Sequence, residues 1–156
     1  MNAVKAKRRR LYWRFRLRPS RRHPHYYTVY VFRGLPLFRG YLQGMNRASG
    51  RSVAWARSAE GICQTETTLI RRGGRWRRSP KLGIILLVEP RLRVGYVAHE
   101  LTHAAIGWAR RVGLRSHAVW QSRRGSYEGR ANERFCRVVE NLNREFWNRW
   151  YARPKP

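Results

Sequence analysis

Acidic residues are scarce in this chain and cysteines are scarcer. The 156 residues contain no aspartate and eight glutamates, against 35 lysines and arginines, which gives a formal net charge of +27. Such a field is expected to attract polyanions such as DNA, RNA or an acidic membrane surface. Two cysteines, Cys63 and Cys136, are too few for a disulfide framework, so a reducing compartment is the simpler expectation.

Long apolar runs are also absent. The longest, residues 84–88, is far too short to span a bilayer. At the N-terminus, Arg14, Arg16 and Arg18 interrupt the apolar stretch that a secretory signal would require. We therefore expect an intracellular, cytoplasmic protein that has no membrane partner.

The hydrophobic residues, 42% of the chain, are enough for one folded domain of ordinary size. We expect a basic flexible leader over residues 1–10, a single domain over 11–151 and a tail over 152–156. Alternating or β-prone stretches predict strands, a Gly-Gly pair predicts a hairpin, and apolar stripes of helical period predict helices. The expected strands are 11–18, 26–32, 53–57, 62–70 and 83–88, with the hairpin turn at 73–74. The expected helices are 36–43, 90–112 and 131–151, with a loop over 44–52. This order predicts an α+β fold in which a small, mainly antiparallel sheet is followed by two long helices.

The most informative segment is His99-Glu100-Leu101-Thr102-His103. Residues four apart lie on the same face of a helix, so the two histidines could offer imidazole nitrogens to one metal ion. The glutamate would lie beside that ion, in a position to take a proton from water. The pattern is HExxH, which is typical of zinc metallopeptidases.

The surroundings of this segment favour a metal site over two buried structural histidines. One apolar stripe at helical spacing lies roughly opposite the histidines and would face the core; it consists of Val97, Leu101, Ala104 and Trp108. Arginines 110 and 111 and then Gly113 are typical of a helix end.

A catalytic zinc needs a third protein ligand, which must come from outside this helix. The extended metzincin pattern fails, because Ile106 and Ala109 occupy its glycine and third-histidine positions. Glu133, near the start of the last predicted helix, is the preferred candidate, since it points away from that helix's expected apolar stripe. The alternatives are Glu128, His117 and Glu140. The expected stripe consists of Phe135, Val139, Leu142 and Phe146.

Together, a strand-rich first part, an HExxH helix and a helix with an early glutamate resemble the zincin superfamily, and within it the minimal gluzincins. The pair Asn132-Glu133 is similar to the one that begins the third-ligand helix of thermolysin-like enzymes, although Arg137 stands where that family has an aspartate. Small HExxH proteins of this layout also occur in bacteriophages. Residues 99–103 also resemble the core of SprT-type and Spartan-type proteases, which act near DNA and use a third histidine; His117 is the one available.

The resemblance implies a zinc metallopeptidase with a peptide or protein substrate. Zn2+ would be held by His99, His103 and Glu133, and Glu100 would act as general base and then return the proton to the leaving amine. His117 and Tyr127 are candidate donors to the developing oxyanion. In this family a peptide pairs with an edge strand beside the HExxH helix, and residues 83–88 or 62–70 could supply that strand.

The basic charge supports two other classes of function. One is a DNA- or RNA-binding protein with a structural or degenerate zinc site, and the other is a hydrolase that uses the same chemistry on nucleic acid. The candidate phosphate-binding residues lie in the leader and around the predicted hairpin: Arg8, Arg9, Arg10, Arg71, Arg72, Arg75, Arg77 and Arg78.

Overall fold

The computed structural model of the protein describes residues 12–48, 59–114 and 126–154, with residues 126–132 described by their backbone alone. In these ranges the fold is α+β, with six strands, three α-helices and one short 3-10 helix at Glu89–Arg91. In chain order the elements are β1 (Tyr12–Leu17), β2 (Tyr26–Phe32), α1 (Leu35–Ala48), β3 (Ile62–Thr65), β4 (Leu69–Arg72), β5 (Arg75–Arg78), β6 (Lys81–Val88), α2 (Val94–Arg111) and α3 (Ser126–Tyr151).

Four of the strands form one sheet in the order β1-β2-β6-β3. β1 is antiparallel to β2, β2 is parallel to β6, and β3 is antiparallel to β6. The sheet is therefore mostly antiparallel, with one parallel pair in its centre. Within the described ranges, β4 and β5 pair only with each other, as a separate two-stranded ribbon.

Burial of strand β6 on both faces explains why residues 84–88 are continuously apolar. Its side chains alternate between two clusters: Ile85 and Leu87 contribute to the core beneath α2 and α3, whereas Ile84, Leu86 and Val88 pack with residues of α1. A strand that is covered on both faces has no position for a polar residue. The strand predicted over residues 83–88 is therefore present and is buried on both faces.

Strand β1 follows the predicted alternation. Phe15 and Leu17 are buried, while Arg14 and Arg16 are exposed and place their guanidinium groups over the rings of Tyr30 and Tyr26. The basic outer face of the sheet is thus partly built of arginines stacked on tyrosines.

Several predicted boundaries are wrong. α1 continues through residues 44–48, predicted as a loop, because Phe38, Leu42 and Asn46 recur every four residues on its buried face. The predicted strand 62–70 is two strands, β3 and β4, and the strand predicted at 53–57 lies outside the described residues. Pro90 belongs to the short 3-10 helix, and α2 begins only at Val94 because Arg93 before it is extended.

The last helix also differs from its prediction. It begins at Ser126, five residues early, in a polar stretch where hydrophobic periodicity gives no information. Its buried stripe is Val138, Leu142, Phe146 and Trp150, whereas Phe135 and Val139 are only partly buried. None of the helices in the described parts of the chain is both long and apolar enough to cross a membrane.

Candidate functional site

The HExxH residues lie in the middle of α2. The helix buries the predicted apolar stripe, together with Ala105 and Ala109, and leaves His99 and His103 exposed on the opposite face. It ends at Arg111, and Gly113 just beyond it has a φ of +76°, a left-handed conformation that favours glycine. The predicted orientation of the histidines relative to the core is therefore confirmed.

The two histidine side chains converge. The Nε2 atoms of His99 and His103 lie 3.1 Å apart, and their rings are nearly perpendicular, with an interplanar angle of 83°. Two nitrogens bound to one tetrahedral zinc ion at about 2.0–2.1 Å are separated by roughly 3.3 Å. The observed separation matches this value, so the pair suits a shared metal ion. The same distance also allows a hydrogen bond from one imidazole to the other.

Glu100 lies at the boundary between the exposed and buried faces, with 7% of its surface exposed. Burial raises the pKa of its carboxyl group, while His99, His103 and a hydrogen bond from the Cys63 backbone act in the opposite direction. A carboxylate with a raised pKa is a better proton acceptor near neutral pH than an ordinary surface glutamate. Its environment therefore suits a general base.

Strand β3 runs along the Glu100 side of α2. The Tyr96 hydroxyl, one helical turn before Glu100, donates a hydrogen bond to the backbone oxygen of Glu60, just ahead of the strand. Near the other end, a Cβ added to Gly107 would collide with the side chains of Thr65 and Tyr27. The strand and the helix are thus held in close contact on both sides of Glu100.

β3 is one of the two edge strands of the four-stranded sheet within the described ranges, because β6 is its only partner there; the other edge strand is β1. The alternative prediction, that residues 83–88 form the substrate-binding edge, is wrong, because β6 lies between β2 and β3 and its hydrogen-bonding groups face both of them. Among the described residues, the unpaired edge on the Glu100 side of α2 therefore belongs to β3.

Glu133 lies in α3, away from the apolar stripe as predicted, with 60% of its side chain exposed. Its carboxylate accepts a hydrogen bond from Nε of Arg137 at 2.9 Å, so Arg137 is its ion-pair partner. Both side chains line a groove that also contains His23 and Trp108. Glu140 forms the corresponding pair with Arg144 at 3.4 Å.

The third ligand stays a prediction. Across residues 12–48, 59–114 and 133–154, whose side chains are described, no three or more histidine, cysteine or acidic side chains form a group that could hold a metal. His99 and His103 are brought together, and Glu133 is not brought to them. His117 and the side chains of Tyr127 and Glu128 lie outside the described residues.

The predicted phosphate-binding arginines divide into two groups. Arg8, Arg9 and Arg10 lie outside the described residues, whereas the five arginines from 71 to 78 all lie on the β4–β5 ribbon and are exposed. This ribbon is not part of the sheet that supports the histidines.

Sequence reasoning missed Tyr96 and Gly107 as residues that position the site. Tyr96 lies four residues before Glu100, so helical spacing alone would have placed it on the same face. No local pattern indicates the role of Gly107, because its contacts, Tyr27 and Thr65, are distant in sequence.

Comparisons with known proteins leave the family open: no protein-family model, no curated protein and no solved structure matches this chain.

Proposed function

We propose that this protein is a zinc-dependent, metallopeptidase-like hydrolase of the zincin type. The observation that carries the proposal is the convergence of the His99 and His103 Nε2 atoms, 3.1 Å apart on an exposed helix face, with the buried carboxylate of Glu100 adjacent in sequence. Two histidines four apart on a helix with a glutamate between them suit zinc binding and base catalysis. The chemistry that zinc would supply when bound is Lewis acidity, which polarises a carbonyl group and makes water more acidic.

The residues of the chain have separate roles in this proposal. His99 and His103 bind the metal, and Glu100 accepts a proton from the attacking water and delivers it to the leaving amine. The free edge of β3 binds an extended peptide through backbone hydrogen bonds. This edge runs beside Glu100, whose pKa is influenced by the backbone of Cys63 in the same strand, so a peptide paired there would pass close to the base.

Glu133 is proposed as the third ligand, as the resemblance to gluzincins implies. Its ion pair with Arg137 is solvent-exposed, with 60% and 75% of the two side chains accessible. Exposed pairs of this kind contribute only about 0–1 kcal/mol. Breaking this ion pair would therefore cost little. Because Glu133 is not grouped with His99 and His103 in the described structure, metal binding would also require its carboxylate to move toward them.

The first test is the zinc content of the purified protein and its variants, measured by inductively coupled plasma mass spectrometry. We expect one zinc per chain in the wild type and loss of zinc in His99→Ala and His103→Ala. Glu133→Ala should lose zinc, whereas Glu140→Ala, on the same helix and with an equivalent arginine partner, should retain it. If all four variants keep zinc, the proposed centre does not exist; loss in the histidine variants alone assigns the third ligand elsewhere.

The second test is cleavage of a fluorogenic peptide library, because the peptide specificity is not encoded in the metal-binding residues. Glu100→Gln removes the base and leaves both histidines, so it should bind zinc like the wild type and cleave at least 100-fold more slowly. A Glu100→Gln variant that cleaves at the wild-type rate would exclude the peptidase mechanism.

A further inference from the structure

The β4–β5 ribbon, residues 69–78, stands apart from the sheet that supports the histidines. Its strands pair only with each other, and all eight strand residues are exposed. The turn residues Gly73 and Gly74 have φ values of +58° and +76°, which are typical of a tight two-residue hairpin. At the base of the ribbon, the Ser79 backbone N–H donates to the Thr68 oxygen, and the Arg111 guanidinium donates to the Ser79 oxygen.

The strand register gives the ribbon two distinct faces, because residues directly opposite each other in an antiparallel pair point to the same side. The face that we call the Trp face contains Leu69 opposite Arg78 and Arg71 opposite Trp76; the other, the Arg face, contains Ile70 opposite Arg77 and Arg72 opposite Arg75.

The positive charge of the ribbon is not compensated. None of its five arginines lies within ion-pair distance of a carboxylate in the described parts of the chain, whereas three arginines of α3 each pair with a glutamate one turn earlier. Arg72 and Arg75 even lie directly opposite each other, an arrangement that is unfavourable for like charges. Such a concentration of charge fits an anionic partner.

An aromatic side chain lies among these charges. Trp76 is 68% exposed and Leu69 is 56% exposed, although tryptophan is usually largely buried. Trp76 makes no ring contact with another aromatic side chain in the described residues, while most other tryptophans described there do. A free aromatic ring flanked by arginines is the composition of surfaces on which the bases of single-stranded nucleic acids stack.

We propose that the Trp face of the ribbon binds single-stranded nucleic acid, with a base stacked on Trp76 and the neighbouring phosphates held by Arg71 and Arg78. A single strand fits the exposed Trp76 ring better than a duplex does, because bases inside a duplex are already stacked and cannot cover the ring. The ribbon is separate from the histidines, so this binding does not depend on the proposed zinc centre.

The test is fluorescence anisotropy with labelled 15-nucleotide dT and rU strands and a matched duplex, at salt concentrations from 50 to 200 mM. Trp76→Ala should weaken binding of the single strand about tenfold, within the range that loss of one stacked base produces. Removal of two phosphate contacts by the double substitution Arg71→Ala/Arg78→Ala should reduce the slope of log K against log salt by about 1.4.

The matched control is Arg72→Ala/Arg77→Ala, which removes the same charge from the same two strands but from the Arg face. It should lose clearly less affinity than the Trp-face pair. Equal losses, an unchanged affinity of Trp76→Ala, or a duplex bound as tightly as the single strand would each overturn the proposal. Preference for dT or rU distinguishes a DNA strand from an RNA strand, and His99→Ala should bind like the wild type whatever its zinc content. Because the substituted residues are exposed, unchanged thermal melting will verify that each variant folds.

Discussion

Gly107 offers a direct test of the contact between the HExxH helix and the sheet beneath it. It lies inside α2, where alanine is normally better than glycine by about 0.8–1.0 kcal/mol. An added Cβ would, however, lie 2.5 Å from the Tyr27 hydroxyl and would also collide with the Thr65 side chain. Thr65 is exposed and can rotate, but Tyr27 is fully buried and its hydroxyl donates to the Ala104 backbone oxygen at 2.9 Å.

The clash with Tyr27 therefore decides the sign of the effect. Overpacking of a rigid site costs about 1–3 kcal/mol, which exceeds or cancels the gain in helix propensity. We expect Gly107→Ala to lower the free energy of unfolding by about 0–2 kcal/mol. The control is Gly44→Ala in α1, where an added Cβ meets nothing within 4 Å; this variant should be stabilised by roughly 0.5–1 kcal/mol.

Urea denaturation at neutral pH, followed by circular dichroism, measures both variants. Tyr27→Phe removes the hydroxyl, so Gly107→Ala should cost less in that background, and a double-mutant cycle gives the coupling. If Gly107→Ala is as stabilising as Gly44→Ala, Tyr27 of β2 does not lie against α2 as described.

Two further predictions concern the edge strand itself. Burial, and to a lesser extent Glu100, raises the pKa of the Cys63 thiol to about 12, whereas Cys136 is exposed. Iodoacetamide at pH 8 should therefore modify Cys136 in the native protein but Cys63 only after unfolding. Peptide mass spectrometry measures the modification of each cysteine. Equal rates at the two cysteines would show that the Cys63 thiol is not shielded by the packing of β3 against α2. In Gly83→Ala, the new Cβ would collide with the Gln64 backbone oxygen and force β3 away from β6. This change should lower the free energy of unfolding by about 1–3 kcal/mol and increase cleavage of β3 in limited proteolysis. An unchanged urea midpoint would contradict the described β3–β6 contact.

The ion pairs of α3 illustrate how replacement of one residue changes a site. In the family that the HExxH helix resembles, an aspartate stands four residues after the third-ligand glutamate; here Arg137 stands at that place and contacts Glu133 at 2.9 Å. One helical turn separates the two residues, so this pairing follows from local geometry and could have been predicted from the sequence. Whether Glu133 exchanges the arginine for a metal is what the zinc measurements decide.

Local periodicity made much of the fold predictable from the sequence. The orientation of α2, with its apolar stripe in the core and His99 and His103 outside, depends only on the 3.6-residue repeat. Strand β2 and the Gly73-Gly74 hairpin likewise follow from residues close together in the chain. The face of α3 that is buried was not predictable in this way. Val138 and Val139 are equally apolar, and only the position of the neighbouring core determines which of them is buried.

Only the tertiary structure decided which strand borders the site. The apolar sequence of β6 indicates burial on both faces, but not that β2 and β3 flank it or that β3 provides the open edge. The contacts of Glu100 with Cys63, of Tyr96 with Glu60, and of Gly107 with Tyr27 join parts of the chain that are far apart in sequence. Hydrophobic periodicity indicates which side of a helix or strand faces the core. Which elements lie next to it depends on how all of them pack together. The sequence alone thus determined the paired histidines on an exposed helix face, and the packing of β3 against that helix decided what lies beside them.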